Sequence, residues 1–124
     1  MMDIRFTKKH EWVRVEDKAA YIGITDFAQH ALSDIVFVEL PKIGAKLKAG
    51  AMFASVESVK AVSDVFAPVS GTVIEINEEL ENAPELLNEN ADENWIAKIE
   101  LADDKELDSL MNKEEYEEYC KNEE

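Results

Sequence analysis

Ala51-Met52-Phe53-Ala54-Ser55-Val56-Glu57-Ser58-Val59-Lys60-Ala61-Val62-Ser63-Asp64-Val65-Phe66-Ala67 contains two β-rich runs, 51–57 and 62–67. The connection between them, Ser58-Val59-Lys60-Ala61, is short enough only for a hairpin or a tight turn. Lys60 is an unusual residue there, because turns built for structure alone favour Gly, Asn, Asp or Pro. An ordinary lysine amine is a poor nucleophile at neutral pH, so Lys60 is not read as a Schiff-base catalyst. As an exposed amine presented to a modifying enzyme it is well placed.

Outward from this hairpin the strand signal persists. Trp12, Val13 and Val15, then Tyr21, Ile22 and Ile24, flank the polar turn Glu16-Asp17-Lys18 and read as a second hairpin. Asp26 with Gln29 resembles a capping box, and i,i+4 apolar pairs predict a short helix over 26–32 before a strand that ends at Pro41. Gly44 and Gly50 punctuate a lysine-bearing loop, Met52 reads as a core filler, and Gly71 follows Pro68 in a turn. Further strands are expected at 72–77 and 95–101. Asp103 and Asp104 can cap a helix containing Leu107, Leu110 and Met111, and Asn112 with Glu115 forms a second capping box before Tyr116, Tyr119 and Cys120. Many short strands before a helical end predict a mainly β fold, a compact barrel or sandwich with helices packed outside.

The chain has 124 residues, a single-domain length, and a net charge of −15. Residues 1–74 carry nine acids and nine bases, whereas 75–124 carry nineteen acids and four bases, so the second part is an acidic shell. No cationic excess is available to replace phosphate counterions, which argues against nucleic acid as a partner. No apolar run approaches the eighteen residues of a membrane span, and no signal or transit character precedes His10. With Cys120 as the lone cysteine, a reducing, cytoplasmic setting is expected. Zinc-ligand spacing, a phosphate-cradling glycine loop and a calcium loop are all missing from the sequence, and Met1, Met2, Met52 and Met111 are too scattered for a soft-metal site. His10-Glu11, a conceivable base and orienter, reads as surface or edge structure, since adjacent strand residues face opposite ways.

Glu57-Ser58-Val59-Lys60-Ala61-Val62-Ser63-Asp64 followed by Ala67-Pro68-Val69-Ser70-Gly71 resembles the lipoyl-attachment hairpin of the glycine cleavage system H-protein family. The likeness extends upstream through His10-Glu11-Trp12-Val13, 23–29 and 34–41, and downstream through 73–77, Pro84-Glu85-Leu86, Trp95 and the Leu107/Tyr116 tail. It implies a barrel-sandwich hybrid of two small sheets. It also implies one carrier domain over 1–124, with short peripheral helices and an acidic helical segment from about 103 to 124. Lipoate would be joined by an amide to Lys60, and the dithiolane, not a protein side chain, would do the chemistry.

The resemblance further implies a non-catalytic carrier. A pyridoxal-phosphate glycine decarboxylase (P protein) loads the aminomethyl group, an aminomethyltransferase (T protein) passes the one-carbon unit to tetrahydrofolate, and dihydrolipoyl dehydrogenase (L protein) reoxidises the arm. A lipoyl ligase or transferase installs it. Glu11 and Asp64 match acidic residues lining the cleft of the loaded arm, where they would hold the cationic amine. One stretch departs: the family's Asn-x-x-Pro-Tyr-x-x-Gly-Trp is replaced by the shorter Asn88-Glu89-Asn90-Ala91-Asp92-Glu93-Asn94-Trp95, so the loop before the last strand is expected to differ. Two other roles fit a hairpin of this kind. One is a lipoyl relay or modification target outside glycine decarboxylation. The other is biotin carriage, against which Val59 and Ala61 stand where Met-Lys-Met is usual.

Overall fold

The computed structural model describes residues 3–123, so Met1 and Met2 lie outside the described residues. Two antiparallel sheets form the molecule. The larger has the order β1 (Asp3–Phe6), β2 (Glu11–Glu16), β3 (Ala19–Ile24), β9 (Ala97–Leu101), β8 (Gly71–Ile76) and β5 (Lys46–Leu47). The smaller has the order β4 (Ile35–Glu39), β6 (Met52–Ser58) and β7 (Val62–Phe66). Between them one buried cluster draws Val13, Ile22 and Ile99 from the large sheet and Val38, Val56 and Val65 from the small one. Each such side chain contributes roughly 1.5–3 kcal/mol by leaving water, which is why period-two alternation sets the register so firmly.

The expected hairpins are present, with Val13 opposite Ile22 in the first and Val56 opposite Ser63 in the second. β1 and β5 were not expected. A two-residue strand carries no periodicity, and β5 lies in the stretch read as a loop, between Gly44 and Gly50. Both glycines have positive φ, 92° and 87°, which a side chain would strain. Gly71 proves to be the first residue of β8, not part of a turn. Met52 is exposed, not a core filler: a register shift between Met52 and Ala54 turns both Phe53 and Ala54 inward and leaves Met52 outside.

Helix α1 (Asp26–Leu32) has the expected length, but its cap is one residue earlier than Asp26. Thr25 Oγ1 accepts from the Ala28 amide at 3.2 Å, while Asp26 accepts from the Gln29 side chain. The short helices α2 (Glu79–Asn82) and α3 (Leu86–Glu89) were not expected, since four residues hold barely one turn of apolar pattern. Asp103 caps a 3-10 helix, Asp104–Ser109, which holds Leu107 but ends before Leu110 and Met111, the latter being drawn into a backbone bridge with Phe6. Ahead of α4 (Lys113–Glu123), Asn112 and Glu115 form the expected reciprocal box, with contacts of 2.8 and 3.0 Å. The end of the chain is held to its beginning by the Phe6–Met111 backbone pair at 2.8 and 2.9 Å. The Tyr116 hydroxyl adds contacts of 2.7 Å to Thr25 Oγ1 and to His10 Nδ1. Burial pushes that hydroxyl's pKa well above its ordinary value of 10.0.

Candidate functional site

Lys60 lies on the surface in the tip Val59-Lys60-Ala61 between β6 and β7. The tip turns without glycine because buried Ser58 supplies its hydrogen bonds. The Ser58 amide donates to the Ala61 carbonyl at 2.8 Å. Ser58 Oγ accepts from the amides of Lys60 and Ala61 at 3.2 and 3.1 Å and donates to the Ala61 carbonyl at 3.2 Å. On the other side, the Val59 amide donates to the Asp34 carbonyl at 2.9 Å. The residues flanking the lysine are therefore tied down while its side chain extends into water.

Asp34 is itself held by a residue the sequence did not single out. Asn88 accepts from the Ile35 amide at 2.8 Å and donates to the Ser33 carbonyl at 2.8 Å and to Gln29 Oε1 at 3.0 Å, so it brackets Asp34 from both sides. This matters because Ser33 has a φ of 73°, a conformation that a serine does not hold cheaply. An Asn in a four-residue helix carries no signal of such a task. Asn88→Ala is expected to cost about 1–3 kcal/mol by orphaning the Ile35 amide. It is also expected to speed hydrogen exchange at the Val59 amide more than at core amides. Uniform acceleration across the domain would show that Asn88 does not position the tip.

Glu57 and Asp64 point away from the core, since Glu57 lies opposite Val62, Asp64 lies opposite Ser55, and the intervening Val56 is buried. They are diagonal neighbours on the outer face of the small sheet, Glu57 nearer the tip. Val59 and Ala61 are exposed beside Lys60. Glu11 is different: it is 3% exposed, which corrects the expectation of surface or edge structure. Its carboxylate accepts from Thr7 Oγ1 at 2.6 Å and from the Phe66 amide at 3.2 Å, two residues beyond Asp64 on β7. Glu11 thus joins the start of β2 to the outer edge of the hairpin. His10, with a φ of 67°, turns aside to stack on Phe27 at 4.2 Å, so the pair does not act together.

Burial raises the Glu11 pKa above its ordinary 4.5, against the opposing hydrogen bonds from Thr7 and Phe66 and the charge of Lys9. A raised folded-state value means that this group's contribution to stability is fully present below about pH 4.5 and is lost as pH rises through the folded-state value. Relative to Glu11→Gln, the wild-type chain is therefore expected to lose stability between about pH 4.5 and neutrality. Urea unfolding across that range checks it. A stability difference that stays flat with pH would exclude a buried, destabilised carboxylate.

Residues 4–123 match the family model described as Glycine cleavage H-protein. A glycine cleavage system H protein of Alkaliphilus oremlandii is 58% identical over 118 residues, which is 95% of this chain and 93% of that protein. Its counterpart in Thermotoga maritima is 48% identical over 117 residues, 94% of each chain. The crystal structure of a glycine cleavage system H protein from Mycobacterium marinum superposes with a TM-score of 0.86 at 30% identity, covering 98% of this chain and 96% of the other. The two sheets and short helices are accordingly a lipoyl-domain-like barrel-sandwich fold, and the chain belongs to the glycine cleavage H-protein family.

Proposed function

We propose that this chain is the lipoyl carrier of a glycine cleavage system and that Lys60 is its attachment residue. The observation that carries the reading is an exposed lysine on a tip whose backbone is tied on both flanks, in a chain matched to the family from residue 4 to residue 123. An amide to Lys60 needs only an accessible amine, and the surroundings of Lys60 meet that need. When bound, the lipoyl group supplies a disulfide that takes up and passes on an aminomethyl unit, chemistry outside the reach of protein side chains.

The chain's own residues do the rest. Ser58 and Asp34 fix where the lysine starts, so that partner enzymes meet the arm at a defined origin. Asp64, exposed on β7 four residues beyond Lys60, is separated from it by at most about 14 Å of chain, within reach of a lipoyl-lysine. It is the outward carboxylate suited to hold a cationic amine, and Glu11 is the buried anchor that keeps β7 in place beneath it. The exposed acids of 75–124 present a field to basic rims on the decarboxylase, the aminomethyltransferase and the dihydrolipoyl dehydrogenase. Those enzymes carry the catalysis; this chain works as one non-catalytic carrier domain in the cytoplasm.

The test is exchange of labelled bicarbonate into the carboxyl group of glycine, with decarboxylase from the same organism. Protein lipoylated on Lys60 is expected to support exchange, and the unlipoylated form is not. Full lipoylation without exchange would remove glycine cleavage from the reading and leave a lipoyl relay.

A further inference from the structure

Among the described residues, five of the seven large hydrophobic side chains most exposed to water belong to the small sheet and its tip: Val36, Phe37, Met52, Val59 and Val62. Phe37, Glu57 and Val62 form one row across β4, β6 and β7, with Phe37 49% and Val62 65% exposed. Val59, in the tip next to Lys60, is 64% exposed.

A backbone device maintains this arrangement. Ile35 pairs with Ser58 and Phe37 with Glu57, so Val36 is the extra residue of a β-bulge. Regular alternation along Ile35-Val36-Phe37-Val38 would turn one of the two middle residues inward. Instead Ile35 and Val38 are buried while Val36 and Phe37 both face solvent. Exposed apolar residues gathered at one place, and turned outward by an irregularity, mark an interaction surface more than chance exposure does.

We propose that this face is the docking surface for the acyl-transferring enzyme that builds the amide on Lys60, an inference that rests on the carrier reading above. Continuity with the lysine selects that occupant. In amide formation the Lys60 nitrogen, having given up a proton to a base of the enzyme, attacks the carbonyl of an activated lipoyl donor. The C–N bond forms as the bond to the leaving group breaks. An enzyme doing this brings its reacting carbon to bonding distance of Nζ and so covers Val59 and Val62. The later partners act on the dithiolane at the far end of the arm, beside Asp64, and need not cover Phe37 or Val59. Charge narrows the partner further. Glu57 sits between Phe37 and Val62, and Glu39 and Asp64 flank Ser55 in the next outward row, so the facing surface is apolar with cationic groups set into it.

The experiment compares the unlipoylated full chain with Phe37→Thr/Val62→Thr, which keeps strand-forming residues but removes apolar area, and with Phe37→Tyr/Val62→Ile, which retains it. The probe is a lipoyl ligase supplied with lipoic acid and ATP, read by intact mass at increasing carrier concentration. The Thr pair is expected to raise KM for the carrier about tenfold with kcat within about twofold, and the Tyr/Ile pair is expected to restore it. An unchanged KM in the Thr pair, or an equal loss in both pairs, overturns the assignment. After lipoylation to completion by long incubation, the Thr pair should support bicarbonate exchange as well as wild type. Normal lipoylation with weakened exchange would give the face to the decarboxylase, and a wild-type dimer dissolved by the Thr pair would give it to a second copy; either overturns the proposal. Wild type that takes up lipoate on Lys60 yet shows no exchange refutes the glycine cleavage reading and leaves the docking result standing.

Discussion

Lys60→Arg protein is expected to take up no lipoate at any ligase concentration and to support no bicarbonate exchange, while unfolding almost as wild type does. The guanidinium keeps the positive charge and most of the length of the side chain, but it is not an amine and offers no nucleophile for acyl transfer. Stability should be unaffected because Lys60 is exposed and its backbone amide, not its side chain, makes the bond to Ser58 Oγ. Exposed substitutions of this kind stay within about 0.5 kcal/mol. Peptide mapping and thermal unfolding on one preparation separate the two effects. Lipoate recovered on Lys42, Lys46 or Lys48 of the variant would show that the tip does not define the target, and a large drop in melting temperature would show that Lys60 has a structural task.

The lysine-bearing hairpin is legible because its signals are local. Two alternating runs and a four-residue connection suffice to place Lys60 at a tip, and the cap formed by Asn112 and Glu115 is likewise readable from a spacing of three. Misreadings arose wherever a distant partner outweighed the local pattern. Glu11 looked like an edge residue because nothing near it in sequence reveals that the Phe66 amide, far along the chain, comes to its carboxylate. Thr25 caps α1 in place of Asp26 because its hydroxyl also meets Tyr116 in the last helix. Met52 lies outside the core because a bulge breaks the period along β6, a break that sequence alternation does not reveal.

The divergent 88–94 segment illustrates the same limit. Lacking the family's Pro, Tyr and Gly, it is expected to form a different loop, and in this chain asparagine side chains hold it. Asn94 donates to the carbonyls of Leu86 and Asn90 at 3.0 and 2.8 Å, and Asn88 braces the corner beneath the lysine-bearing tip. Composition showed only an acidic, asparagine-rich stretch, in which these amides look like ordinary surface residues.

Trp12→Ala is expected to be among the most destabilising single changes in the molecule, and its coupling to Gly23 is expected to reverse part of a second loss. The indole is completely buried, and its Nε1–H donates to the Ala91 carbonyl at 3.1 Å, joining β2 to the divergent loop. Truncation leaves a cavity worth about 3–5 kcal/mol and removes the partner of that carbonyl. Gly23 lies opposite Trp12 in the β2–β3 pair, and a Cβ placed on it would come within 2.8 and 2.9 Å of the indole carbons. Gly23→Ala alone is therefore expected to cost about 1–3 kcal/mol by forcing the ring out of its seat. In the Trp12→Ala background those atoms are gone, and the added methyl partly fills the space they leave. Gly23→Ala should then cost little or stabilise, a coupling of about 0.5–3 kcal/mol measurable by urea unfolding of the four proteins in the cycle. Additive losses would mean that the glycine is required by its own backbone, not by the ring that lies against it.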